Sequence, residues 1–219
     1  MKPILKTLLI LFALSLPTQR LDAQIYAKLN GLYALVGVIN PAVEFTVSPK
    51  STFQTEIVFS PWKYVNDHGV DKPMKFGILM TEYRRYFKQH NRGWYLGANM
   101  GMMGFKMSKP QFSDGWFLEN RYSKGYGMMI GICGGFEYQF ADRWLLDAYF
   151  GWSYMLSWYN GYSLDGTIDL YPHRPVQLEK PDPFNGSHEW LPNKIGVSIG
   201  FMIFNPARRG RTGSSCAVR

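Results

Sequence analysis

The chain has 219 residues, 46% apolar and 18% charged, with 24 basic against 16 acidic side chains and a formal charge of +8. That is enough for one domain with a sizeable core, and the many aromatics (14 Tyr, 15 Phe, 7 Trp) exclude a disordered chain. Beyond residue 23 no stretch offers the roughly 18 to 20 continuous apolar residues of a spanning helix, and two cysteines, Cys133 and Cys216, do not make a disulfide framework.

The first residues read as an export signal. Lys2 and Lys6 precede an apolar run from Leu8 to Leu16, Pro17 breaks it, and Ala23 before Gln24 suits cleavage. No cysteine follows to carry a lipid anchor. Without residues 1–23 the chain keeps 21 basic and 15 acidic residues, a charge of +6. Nucleic acid is not an expected partner of an exported chain. Arg208, Arg209, Arg211 and Arg219 lie in a tail, 207–219, that has no apolar pattern and is expected to be disordered. Residues 24–206 remain as the folded domain.

Within that domain the dominant period is two, the signature of strands with unlike faces. Eight strands are expected, near 27–38, 41–48, 52–61, 74–87, 93–107, 125–140, 144–158 and 194–204. In the seventh, Leu146, Ala148, Phe150, Trp152, Tyr154, Leu156 and Trp158 alternate with Leu145, Asp147, Tyr149, Gly151, Ser153, Met155 and Ser157. Several strands exceed the usual five or six residues and match the roughly 9 to 11 of a tilted membrane strand. Connections alternate between tight (Ser48 to Ser51, Lys88 to Arg92, Ala141 to Arg143) and long (Trp62 to Pro73, Ser108 to Lys124, Tyr159 to Asn193). That asymmetry is expected of outer-membrane barrels. The first connection, Ile39 to Pro41, breaks the pattern by being short; if it is a bend in one long strand, the count of eight fails.

One parity is greasy; the other carries Glu44, Gln54, Glu56, Glu82, Arg84, Asn99, Glu137, Gln139, Asp147 and many glycines. A lipocalin-like soluble barrel would turn the greasy side inward, a membrane barrel outward. Glycine suits a crowded interior more than an exposed strand. Aromatics also gather at strand ends: Phe87, Trp94, Tyr95, Tyr138, Phe140 and Trp144 near tight turns, and Trp62, Tyr64, Tyr122, Tyr126, Trp158 and Tyr159 near long loops. They are expected to form two interfacial girdles. The expected fold is therefore all-β, a closed eight-stranded antiparallel transmembrane barrel behind a cleaved signal peptide.

Several short motifs carry a resemblance: Asn40-Pro41-Ala42-Val43-Glu44-Phe45, Phe59-Ser60-Pro61-Trp62, Glu82-Tyr83-Arg84-Arg85-Tyr86, the run from Gly125 to Tyr154 with Asp142-Arg143-Trp144 at its turn, and Leu191-Pro192-Asn193-Lys194-Ile195-Gly196-Val197-Ser198. With them the chain resembles small outer-membrane barrel proteins of Bacteroidetes catalogued as a domain of unknown function. The resemblance implies fold and location, and brings no catalytic residue with it.

The inward parity sets Glu44, Glu56, Glu82, Glu137 and Asp147 against Arg84, with Lys28 or Lys194 near the ends. Buried charges must pair, so a polar network that plugs the barrel is expected; a gated cation path is the alternative. His68, His90, His173 and His188 show no metal-ligand spacing, and Ser187-His188-Glu189 are sequence neighbours, which triads need not be. No cofactor or metal is expected. The glycine-rich runs lack the lysine and strand-to-helix setting of a phosphate loop, and the methionines read as filler and lipid-facing surface. The longest loop, with Tyr171, His173, Arg174, Phe184, His188 and Trp190, is the expected interaction surface. The function expected is a monomeric outer-membrane protein with a structural or surface-interaction role and no catalysis. Outer-membrane lipid and an extracellular or envelope protein are the expected partners. A lipid-modifying enzyme, a narrow cation channel and a soluble binding barrel are the rivals.

Overall fold

The computed structural model describes residues 24–67, 69–108, 110–111, 117–118, 121–164, 177–179 and 187–205. The expected signal peptide and basic tail lie outside them, as do Tyr171, His173, Arg174 and Phe184. The architecture is all-β. Eight strands make the ring of the main sheet: β1 (Ile25–Asn30), β2 (Pro41–Ser48), β3 (Ser51–Phe59), β4 (Val70–Tyr86), β5 (Gly93–Met107), β6 (Arg121–Ala141), β7 (Trp144–Ser163) and β8 (Ser187–Phe204). Each pairs antiparallel with the next. β8 returns to β1 with Leu29 opposite Ile199, so the strands close into a ring without a free edge. Among the described residues no helix is long and apolar enough to cross a membrane.

The tight turns after β2, β4 and β6 share one end of the ring with the start of β1 and the end of β8. Connections at the other end are long. The first of these corrects the expected short link. The strand expected over 27–38 stops at Asn30, and a short helix, α1 (Gly31–Leu35), follows. Asn30 causes the switch: its side-chain oxygen accepts from the Leu32 and Tyr33 amides at 3.0 and 3.4 Å, capping the helix. All four connections at that end are thus longer than the turns opposite, and the count of eight holds.

Two strands also run further than expected. β7 continues to Ser163 and pairs with Gln177–Glu179, and β8 begins at Ser187. His188 and Trp190, expected in the loop, therefore belong to β8, opposite Leu156 and Tyr154. Pro192 stands where the ladder slips between Gly151 and Ser153, a place where a missing amide costs little.

The greasy parity points outward around the whole ring. Val43, Ile57, Leu79, Leu96, Met100, Ile130, Ile132, Phe150, Trp152, Val197 and Ile199 are all exposed, Ile132 to 71%. Aromatic pairs mark both ends of this wall, Trp94 with Phe136 and Trp144 with Phe201 near the turns, Tyr126 with Trp158 and Tyr154 with Trp190 near the long connections. Three of the expected girdle residues do not belong to it: Tyr95 and Tyr122 are buried, and Tyr159 packs inward against Phe105. Tyr95 falls on the inward parity of β5, and Tyr122 stacks on Tyr162 at 4.9 Å.

Candidate functional site: an ionic network inside the ring

The inward parity is polar at mid-height and apolar above and below. Tyr26, Leu145 and Met202 pack together towards the tight-turn end. Met80, Phe105, Met129 and Met155 form a second layer towards the long connections. Between the two layers lie the six expected residues, Glu44, Glu56, Glu82, Arg84, Glu137 and Asp147, none more than 4% exposed. Each sits at an inward position of its strand, so alternation alone aims six side chains from five strands at one axis.

Arg84 is the hub. Its Nε donates to Glu82 Oε1 at 2.5 Å, and its Nη1 donates to Asp147 Oδ2 at 2.7 Å and Glu137 Oε1 at 2.9 Å. Glu44 Oε2 lies 3.4 Å from the same Nη1. The guanidinium also stacks 4.6 Å above the Tyr95 ring. Tyr95 and Tyr86 hydroxyls complete the shell, donating to Asp147 Oδ1 at 2.9 Å and Glu44 Oε1 at 3.0 Å.

Two lysines expected near the ends are central. Lys28 Nζ is ion-paired with Glu44, with Glu137 and, at 3.0 Å, with Asp147. Lys194 Nζ bridges Glu82 at 2.5 Å and Glu56 at 3.0 Å. The chain of contacts runs from Glu56 through Lys194, Glu82 and Arg84 to the Glu44, Glu137 and Asp147 group, where Lys28 caps it. Parity marks Lys28 as inward, two residues from Tyr26 and two from Asn30; its reach across the lumen comes from its long side chain and was not legible.

Oxygens of Glu44, Glu137 and Asp147 come within 4.8 Å of one another, a spacing that can hold a metal ion. Here the Lys28 ammonium meets all three, so the protein supplies its own cation. Ser153 donates to Asn99 at 3.0 Å, and Ser198 shares a hydrogen bond with Tyr149 at 3.2 Å. Among the described residues no histidine touches these charges directly; His90 bonds to Asn91, whose side-chain amide donates to Glu137 Oε2 at 3.3 Å. Ser187, His188 and Glu189 are consecutive in β8, opposite Ser157, Leu156 and Met155. The arrangement is suited to crosslinking strands. Cys133 is a free, buried thiol among Tyr86, Tyr95 and Tyr149.

Of the expected interaction surface, Trp190 is exposed and packs on Tyr154 at 5.3 Å between ring centroids. No curated protein and no solved structure matches the chain. A family model described as a protein of unknown function, DUF3575, matches residues 6–203, and the chain belongs to that family.

Proposed function

We propose that the chain is an integral outer-membrane β-barrel whose wall faces lipid, whose lumen is plugged by the ionic network, and whose long connections present a surface to a partner in the envelope or outside the cell. The observation that carries this reading is the complete separation of faces. Eight ionisable side chains are buried on the axis while residues such as Ile132, Leu96 and Met100 are left bare on the outside. In water a belt of that extent would be an aggregation hazard; in hydrocarbon it is the expected surface.

Strand geometry agrees. On β4 the outward charges Lys75 and Arg85 bracket Gly77, Leu79, Thr81 and Tyr83. Ten residues at about 3.3 Å each, tilted by about 40°, span roughly 25 Å, the height of a barrel's apolar band. The role is structural or interaction-based, with no catalysis. The network supports it: an eight-stranded interior is just wide enough for side chains or one small ligand, and here ion pairs from Lys28, Arg84 and Lys194 cross it.

Gel migration of detergent-extracted protein with and without boiling tests the reading. A folded species that runs differently from the boiled one, and that requires detergent, is expected, with no steady conductance in planar bilayers. Recovery in the soluble periplasmic fraction with no shift on boiling overturns it.

A further inference from the structure

Three lysines stand side by side on the outer wall, near the long connections. Lys75 of β4 is in register with Lys106 of β5, and Lys106 with Lys124 of β6. Asn160 of β7 continues the row. Like charges directly opposite one another on neighbouring strands are destabilising. Among the described residues none of the three has a carboxylate partner; Lys106 lies 5.1 Å over the Tyr122 ring.

One outward step towards mid-height, Gly77 and Gly104 face each other across β4 and β5. A Cβ at either would meet nothing within 4 Å. Their bareness leaves a notch of about 480 Å³, lined by the lysines, Phe59 and Tyr126. It opens into a groove of about 620 Å³ that passes Leu79, Met102 and Met128. A cationic row thus caps an apolar track running down the wall.

We propose that this row and track bind a phosphate-bearing, acylated lipid of the leaflet at the long-connection end, with the phosphate on Lys75, Lys106 and Lys124 and one acyl chain laid over Gly77 and Gly104. The proposal rests on the lipid-facing reading above. Charge complementarity selects the anionic head. The apolar track beneath it selects a lipid over free phosphate, because an inorganic ion would have no use for a groove inside the hydrocarbon band. The cations also lie at the edge of that band, where headgroups are.

Native mass spectrometry of the detergent-purified full chain tests this with diphosphorylated lipid A, its dephosphorylated counterpart and inorganic phosphate as probes. Wild type is expected to retain the phosphorylated lipid. The K75Q/K106Q/K124Q variant is expected to lose roughly ten- to hundredfold in retention. G77I/G104I, which fills the track with residues favoured in strands, is expected to lose several-fold. Equal retention of both lipids, unchanged retention in the triple variant, or full displacement by inorganic phosphate overturns the site. Boiling-dependent migration of each variant reports the fold. A wild type that needs no detergent and does not shift brings down the membrane reading itself, whereas an intact shift with unselective lipid retention brings down this site alone.

Discussion

Lys28 Nζ and Arg84 Nη1, borne on strands three apart in the ring, approach the same three carboxylate oxygens, Glu44 Oε2, Glu137 Oε1 and Asp147 Oδ2. Two cations are held together by three carboxylates, and none of the five residues is more than 4% exposed. Removing either cation takes an ion-pair partner from all three buried carboxylates, and breaking a buried pair in that way typically costs about 3 to 5 kcal/mol. Lys28→Met is therefore expected to lower the unfolding free energy of the protein in detergent micelles by that amount, read as a lower denaturant midpoint. Lys28→Met with Glu137→Gln, which removes an anion as well, is expected to recover part of the loss. A single variant that unfolds with wild type would show that the network does not hold the ring.

Tyr95 is expected to matter through its hydroxyl and through the space it occupies. Tyr95→Phe deletes one donor to Asp147, a charged acceptor, at a cost of about 1.5 to 3 kcal/mol. Gly135→Val is expected to cost more. A Cβ at Gly135 would lie 2.4 Å from the Tyr95 hydroxyl oxygen and 2.5 Å from Cζ, so the ring itself must leave its place beside Arg84. The same unfolding measurement ranks the two, and a Gly135→Val midpoint above that of Tyr95→Phe would contradict the packing argument.

The strands were legible because a face that meets one environment and a face that meets another write themselves at period two. Glu44, Glu56, Glu82, Arg84, Glu137 and Asp147 could be assigned to one face on that ground; that this face is the interior rested on its glycines and on the aromatics at the strand ends. The residues around Asn30 were not legible, since Gly31 to Ile39 is apolar enough to continue a strand and only the Asn30 cap redirects it. Tyr95 was misplaced because an aromatic near a strand end satisfies the girdle pattern equally well; the bare surface of Gly135 opposite it, paired in register, is the sign that it points inward. Which partner each lumen charge takes depends on side-chain reach across the ring, and no spacing in the sequence encodes that.

Ile132 lies midway along the outward row of β6 between Lys124 and Phe140 and is 71% exposed. For a wall that faces hydrocarbon, Ile132→Arg is expected to destabilise the folded, membrane-inserted state by about 2 to 4 kcal/mol, as at a bilayer midplane. Refolding into lipid vesicles, scored by the fraction that shifts on boiling, measures it. On a wall facing water the same change would relieve an exposed apolar patch, and refolding at wild-type yield or better would contradict the lipid-facing assignment.

Cys133 reports whether the lumen admits solutes. Its residue is 3% exposed, it packs with Tyr86, Tyr95 and Tyr149, and the apolar layer of Met80, Phe105, Met129 and Met155 lies between it and the long connections. In a Cys216→Ala background, so that Cys133 is the sole thiol, a small charged thiosulfonate reagent is expected to leave the folded protein unmodified and to label it fully once boiled in detergent. Met129→Ala with Met155→Ala thins the layer above the thiol and is expected to speed labelling of the folded form without abolishing its migration shift. Rapid labelling of the folded Cys216→Ala protein would mean that a water-filled path reaches the middle of the ring, and the network would then line a channel instead of closing it.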